Sequence, residues 1–355
     1  MVFAGLPDVY ESEGYDRKHM RMPECQNRLI EAVAEANPNT VVVLHNGSPV
    51  EMPWIGKVKA VLEAYLGGQA VGLATVRVLF GEVSPSGCLP ESFPKKLKDN
   101  PSYLFYGGEG DTAEYREGIF VGYRYYDKKE TELLFPFGHG LSDTSFSYSD
   151  LCLSSEKITD QDCLTATVKV TNTGSRPGKT VVQLYVSDCE STVLRPVREL
   201  KGFEKIALEP GETKEVSFTL DKRAFAYWNT RIHDWHVESG EFCIEIGRSS
   251  RDIVLTEKVF VESTVTLPKH YDMNSIFMDL MNDPRAETIL EPVLKGFRES
   301  FLSSGDEQSD AAQEAISSEM SLAMFNYMPL RTLLSFAGDK ADPNLLDQIL
   351  TALNS

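Results

Sequence analysis

The sequence predicts a multidomain protein of the α/β plus all-β class with a helical C-terminal tail, and three observations predict it. To about residue 150, short apolar runs alternate with helical patterns, the signal of strand–helix–strand units and a mostly parallel sheet. From about 160 to 262, short alternating strands separated by turn signals indicate an antiparallel β-sandwich. From Pro268 onward the pattern is helical. The domains expected are 1–150, 151–263 and 264–355.

Taken in order, Val2-Phe3-Ala4 reads as a strand, so the α/β domain looks as if it were joined partway through. Pro23 opens a helix to about Ala36, with Leu29, Ile30 and Val33 on one face and a stop at Asn37-Pro38. Val41-Val42-Val43-Leu44 is apolar at every position, as a strand buried on both faces must be. Val58 to Leu66 is the next strand candidate, and Gln69 to Phe80 a helix ended by Gly81.

In the second region the strand candidates are Leu164 to Asn172, Gly174 to Gly178, Thr180 to Ser187, Val216 to Leu220 and Phe242 to Ile246. Pro210-Gly211-Glu212 is a turn, with proline preset for its first central position. In the tail, helices are expected over Met273 to Met281, Ala286 to Phe301, Ala311 to Met324 and Asp342 to Leu353, with an acidic linker at 303–310. Residues 264–355 hold six basic and fourteen acidic side chains. Their methionines, near helical spacing, favour a small helical core over a docking surface.

With 35 basic and 53 acidic residues the net charge is −18, which argues against tracking nucleic-acid phosphates or anionic membranes. The six cysteines lack the spacing of a zinc or redox motif and read as free thiols. No apolar run reaches membrane-spanning length, and Met1 to Pro7 does not resemble a signal peptide. A soluble cytoplasmic protein without a cofactor or metal is expected.

The densest chemistry is Glu11-Ser12-Glu13-Gly14-Tyr15-Asp16-Arg17, after the first strand, where loops of α/β sheets usually bind ligands. Three carboxylates so close repel one another and raise the proton affinity of at least one, while Arg17 opposes this. From spacing alone an acidic surface loop is the favoured account of the segment, ahead of a proton-donating site.

With Phe3-Ala4-Gly5-Leu6-Pro7, Met22-Pro23, Gln26 and Leu29-Ile30, this segment resembles the second catalytic segment of glycoside hydrolase family 3, the β-glucosidase family. The likeness continues through Asn46-Gly47-Ser48-Pro49, Leu89-Pro90, Phe93-Pro94 and Tyr115-Arg116-Glu117-Gly118 to Phe135-Pro136-Phe137-Gly138-His139-Gly140. Beyond it, Asn172-Thr173-Gly174, Leu208, Pro210-Gly211-Glu212 and Ser239-Gly240 resemble the fibronectin type III-like module that follows in many members.

The resemblance implies a partial flavodoxin-like α/β sandwich, then a fibronectin type III-like antiparallel β-sandwich. It also implies a retaining hydrolysis of terminal β-D-glucosyl bonds by two carboxyl groups about 5–5.5 Å apart. Glu13 matches the family's general acid/base, which needs a raised pKa in the assembled site. The nucleophile belongs to a (β/α)8 barrel that usually precedes this region, and no eightfold repeat is found here. The chain is therefore expected to supply the acid/base half to a β-glucoside or cello-oligosaccharide-like substrate, to need a separate barrel half, and to be inactive alone. The alternative is a non-catalytic module binding carbohydrate or a partner protein.

Other candidates carry less. His233-Asp234-Trp235-His236 offers two imidazoles but lies near a hairpin, away from other ligands. Gly107-Gly108-Glu109-Gly110 does not open a helix, as a phosphate loop would. Arg116 and Glu117, with Tyr123 and Tyr125, are expected to pair structurally rather than line a sugar cleft. Trp54, Tyr106 and Trp228 have the flat faces that sugar rings stack on, with a core or rim role as the base expectation.

Overall fold

The first strand, β1 (Val2–Gly5), lies beside β2 (Val41–His45) with helix α1 (Glu24–Ala36) between them in sequence. β3 (Ala60–Glu63) completes a sheet of order β1-β2-β3 in which both pairings are parallel. These elements belong to a computed structural model that describes residues 1–283, 285–286, 320, 323–324, 326–332 and 345–354. α1 packs through Asn27, Ile30 and Ala34, and the Trp54 indole N–H donates to Asn27 Oδ1 at 3.0 Å. Leu29, expected on that face, is exposed, because the sheet-facing stripe runs one position further round the helix. Val42, Val43 and Leu44 are completely buried.

After α2 (Val71–Leu79) the chain forms the small antiparallel pair β4 (Phe93–Pro94) and β5 (Leu133–Phe135), with α3 (Tyr123–Lys128) between them. The sandwich follows: β6 (Phe146–Leu153), β7 (Lys157–Thr159), β8 (Leu164–Asn172), β9 (Gly178–Asp188), β10 (Glu199–Leu208) and β11 (Thr213–Leu220). A short α4 (Lys222–Phe225) and the ribbon β12 (Tyr227–Asn229) and β13 (Asp234–His236) precede β14 (Gly240–Ser249) and β15 (Asp252–Glu262). A five-stranded sheet, β10-β9-β14-β15-β7, faces a three-stranded one, β11-β8-β6. Only β7 pairs in parallel, at the edge beside β15.

Strict alternation builds the sandwich core. In β8, Leu164, Ala166, Val168 and Val170 point inward, while β14 supplies Phe242, Ile244 and Ile246. The expected strand Gly174–Gly178 is a loop up to Pro177. Asn172 folds it: its Nδ2 donates to Arg176 O at 2.8 Å and its Oδ1 accepts from the Gly174 N–H at 3.0 Å. Such local side-chain bonds offer the backbone an alternative to a ladder.

β9 breaks the alternation, with Gln183 and Tyr185 as buried as the apolar residues between them. The α/β segment around residues 123–140 covers their face. Gln183 Nε2 donates to Gly138 O at 2.9 Å and Arg248 O at 3.0 Å, and the Tyr185 hydroxyl donates to Gln183 Oε1 at 2.6 Å. Tyr123 stacks on Phe137, ring centroids 4.6 Å apart, and meets Tyr185 edge-on. Arg251 seals the contact: its Nε pairs with Asp127 Oδ1 at 2.6 Å, and Nη1 and Nη2 donate to the Thr131 and Tyr126 carbonyls, both at 2.9 Å.

Met1–Val265 form one unit and Thr266–Ser355 a second. In the second, α5 (Phe277–Met281) and α6 (Leu345–Asn354) share a core of Tyr271, Phe277, Leu280, Leu330, Leu346, Ile349 and Leu353. Met273 and Met281 pack against it, and Met278, Met320 and Met324 are exposed. The expected helix from Met273 starts late, because the Asp272 carboxylate accepts the Asn274 N–H at 2.7 Å and closes a turn there. Most of the expected helices Ala286–Phe301 and Ala311–Met324, and the acidic linker, lie outside the described residues. Among the described residues no helix is long and apolar enough to cross a membrane.

Arg251→Ala leaves the buried Asp127 carboxylate without its cation and the Thr131 carbonyl without its donor, while the Tyr126 carbonyl keeps only the Thr131 N–H at 3.0 Å. The expected cost is about 2–4 kcal/mol, read from urea denaturation. Arg251→Lys should recover less than half of it, since one ammonium cannot reproduce a three-armed planar fork.

Candidate active site

β1 ends at Gly5 because no side chain fits there: a Cβ would stand 2.0 Å from the His45 carbonyl oxygen. The Gly5 N–H donates to Gln26 Oε1 at 2.9 Å, fixing the direction in which the acidic loop leaves the sheet. Ser12 and Tyr15 form an isolated antiparallel bridge, so Glu13 and Gly14 are its tip. Gly14 has φ +93°, a conformation that strains any other residue.

The structure separates the three carboxylates that the sequence places together. Glu11 folds back, its Oε2 accepting the Gly47 N–H at 2.6 Å and its Oε1 the Ser48 hydroxyl at 2.5 Å. Arg17 Nη1 lies 3.7 Å from Glu11 Oε1 and donates to Ser48 Oγ at 2.6 Å and Pro49 O at 3.2 Å. Asp16 accepts the exposed Tyr106 hydroxyl at 2.5 Å. Glu13 is exposed at the tip and, of the three, alone has no partner among the described residues. The loop is thus anchored on both sides of one free carboxylate.

The carboxylates with raised proton affinity lie elsewhere. Burial pushes Glu63, at the end of β3, up to about 7, against hydrogen bonds to its Oε1 from the Tyr65 N–H at 3.0 Å and to its Oε2 from Asn46 Nδ2 at 3.3 Å. Burial likewise raises Glu91, which accepts the Tyr65 hydroxyl at 3.4 Å. Burial lowers the Arg17 guanidinium, and Glu11 and Glu91 oppose that shift. Tyr65 has φ +48°, rare for a bulky residue and held here by its bonds to both glutamates.

A cavity of about 360 Å³ opens beside this network, lined in part by Arg17, His19, Ser48, Glu91, Ser92 and Tyr126. Its size suits a small ligand, and its hydroxyl, guanidinium and carboxyl groups suit hydrogen bonding to a polar one. Glu13 is not among its lining residues. Sequence reasoning missed Glu63 and Glu91. The available signals were a charge closing an apolar strand and a glutamate inside the Leu89-Pro90 to Phe93-Pro94 run.

The remaining candidates resolve as follows. Trp54 is wholly buried, a core residue. Arg116 pairs with Glu114 and lies over the Phe105 ring, and Glu117 lines the cavity. The Leu200 N–H donates to the Tyr123 hydroxyl and Lys129 Nζ to the Tyr125 hydroxyl, both at 2.8 Å, so both rings are in structural pairings. Trp228 is half-exposed, packed edge-on against Trp235. His236 is buried in the β12–β13 ribbon, and no group of three metal-ligating side chains is found among the described residues.

Comparisons agree with this architecture. Residues 1–142 match the model of the glycosyl hydrolase family 3 C-terminal domain, and residues 180–250 that of the fibronectin type III-like domain. The whole chain is 57% identical to a thermostable beta-glucosidase B of Acetivibrio thermocellus, covering 46% of that protein. An exo-alpha-(1->6)-L-arabinopyranosidase of Bifidobacterium breve is 46% identical over 74% of this chain and 34% of its own length. The crystal structure of a Kluyveromyces marxianus beta-glucosidase in complex with glucose superposes with a TM-score of 0.70 at 46% identity, over 73% of this chain and 31% of that one. The chain spans less than half the length of these relatives.

Glu63 yields a test of the buried network. It binds its proton more tightly folded, at about 7, than at its ordinary value of 4.5, so its contribution to stability is full below pH 4.5 and is lost as pH rises through 7. Glu63→Gln should remove roughly 2 kcal/mol of that decline, seen as a flatter urea midpoint between pH 5 and 8. Equal slopes in both proteins would contradict the assignment.

Proposed function

Because this chain belongs to glycoside hydrolase family 3, we propose that it forms the acid/base half of a retaining β-glucosidase site, with Glu13 as the proton-transferring carboxyl group. The observation that carries the reading is the free carboxylate of Glu13 at the tip of a loop whose other acids are tied down. A carboxyl group whose oxygens accept no bond from the chain's own donors is open to a substrate oxygen. In glycosylation Glu13 gives its proton to the glycosidic oxygen as the C1–O bond breaks and a second carboxylate bonds to C1. In deglycosylation it takes a proton from the water that displaces that carboxylate.

The second carboxylate comes from a (β/α)8 barrel outside these 355 residues, whose parallel pairings among the described residues do not exceed a three-stranded sheet. Barrel and loop meet around a terminal β-D-glucosyl residue. Relatives with β-glucosidase and arabinopyranosidase names are alike in this region, which supports placing the choice of sugar mainly on the barrel side.

The test is Glu13→Gln in a polypeptide joining these residues to a family 3 barrel, assayed on an aryl β-glucoside. kcat should fall by about 10²–10⁴, and azide, which needs no base to attack the glucosyl-enzyme, should restore turnover on a substrate with a good leaving group while forming glucosyl azide. Unchanged kcat would refute the role and favour the reading as a non-catalytic binding module.

A further inference from the structure

We propose that Cys189 and Cys243 are a disulfide-forming pair, a modification site at which a small organic disulfide installs a covalent clasp between β9 and β14. Both thiols are free, and their sulfurs lie 3.1 Å apart. Among the described residues no other two cysteines bring their sulfurs into contact.

The sheet register makes them neighbours. Cys243 lies opposite Ser187, and the Cys189 N–H continues the ladder by donating to Glu241 O at 3.1 Å. Cys189, two residues beyond Ser187, therefore shares a face with Cys243 as a diagonal cross-strand pair, within reach of a side-chain link. Closing to a bond of about 2.05 Å takes roughly 1 Å of sulfur movement, and because diagonal positions stand wider apart than directly opposite ones, a small adjustment of the two paired strands accompanies it. Cys189 is exposed and Cys243 half-buried, so a reagent can reach the first.

The exchange balances without a further reactant. A Cys thiolate attacks the small disulfide and releases one small thiol. The second Cys sulfur then attacks the mixed disulfide, releasing the other. Two protein thiols lose two protons and two electrons, and one disulfide is reduced to two thiols. Partial desolvation of its sulfur and the contact with Cys243 push the otherwise exposed Cys189 thiol up to about 12, with Lys258 opposing and Glu241 reinforcing the shift, so exchange is best run at alkaline pH.

The bond would close a loop of 54 residues holding β10 to β13 and α4, restricting the unfolded chain. It would also fix the start of the segment whose Arg195 is buried against Asp188, at 3.0 Å, and Phe225 O, at 2.9 Å. The test is incubation of the full chain with oxidised glutathione at alkaline pH, then intact-mass analysis, peptide mapping and melting. The expected result is loss of two hydrogen atoms, a peptide linking Cys189 to Cys243, and a rise in Tm of about 10 °C that dithiothreitol reverses. Cys189→Ser and Cys243→Ser should each abolish the rise, with reduced wild type as the folded reference. Stable glutathione adducts on both cysteines, links through other cysteines, or an unchanged mass would overturn the proposal.

Discussion

The outer face of the five-stranded sheet is the constraint on which the first unit depends. There β9 buries Gln183 and Tyr185, polar groups that cannot be left without partners. Their partners are the Gly138 and Arg248 carbonyls and the Tyr123 ring, itself stacked on Phe137, and Arg251 adds three bonds to the backbone and carboxylate at 126–131. From this anchorage the fold runs toward the cavity. The Gly138 N–H donates to Leu89 O and the Leu89 N–H to His139 O, which places Glu91 and Ser92. The sandwich therefore stabilises its neighbour and also sets one wall of the cavity.

The opposite wall is set by the acidic loop. Glu11 and Arg17 share Ser48, so the loop after β1 is tied to the loop after β2. Charge-assisted bonds of 2.5–2.6 Å are among the stronger polar contacts available. Two acids and an arginine anchor the loop on either side of the tip, where Glu13 is left free. Glu63, Tyr65 and Glu91 go against stability, a half-buried carboxyl cluster around a left-handed tyrosine. Costs of this kind concentrate where geometry is needed for function.

Much of the fold could be read from residue pattern. β2 and β8 announced themselves through uninterrupted and alternating apolar positions, and α1 through Pro23 and Asn37. Gly174–Gly178 did not, because Asn172 supplies the loop with bonds that no periodicity reports. Gln183 and Tyr185 resemble an outward face until the segment covering them is folded into place. Within the site, Glu13 was legible only through the family resemblance, since the φ of +93° at Gly14 is a structural fact, whereas Glu63 and Glu91, 28 positions apart, are brought together only in the folded chain, through Tyr65.

What the sequence by itself determined is local: which runs form strands and helices, where turns fall, and a family likeness carried by ordered motifs from Phe3 to Gly240. Tertiary structure alone decided which of three adjacent acids stays free, which distant glutamates lose their water, and which two of six cysteines touch. The physical reason is that periodicity and turn chemistry act over a few residues, while burial, desolvation and cross-strand approach depend on neighbours that the folded chain brings from tens of positions away.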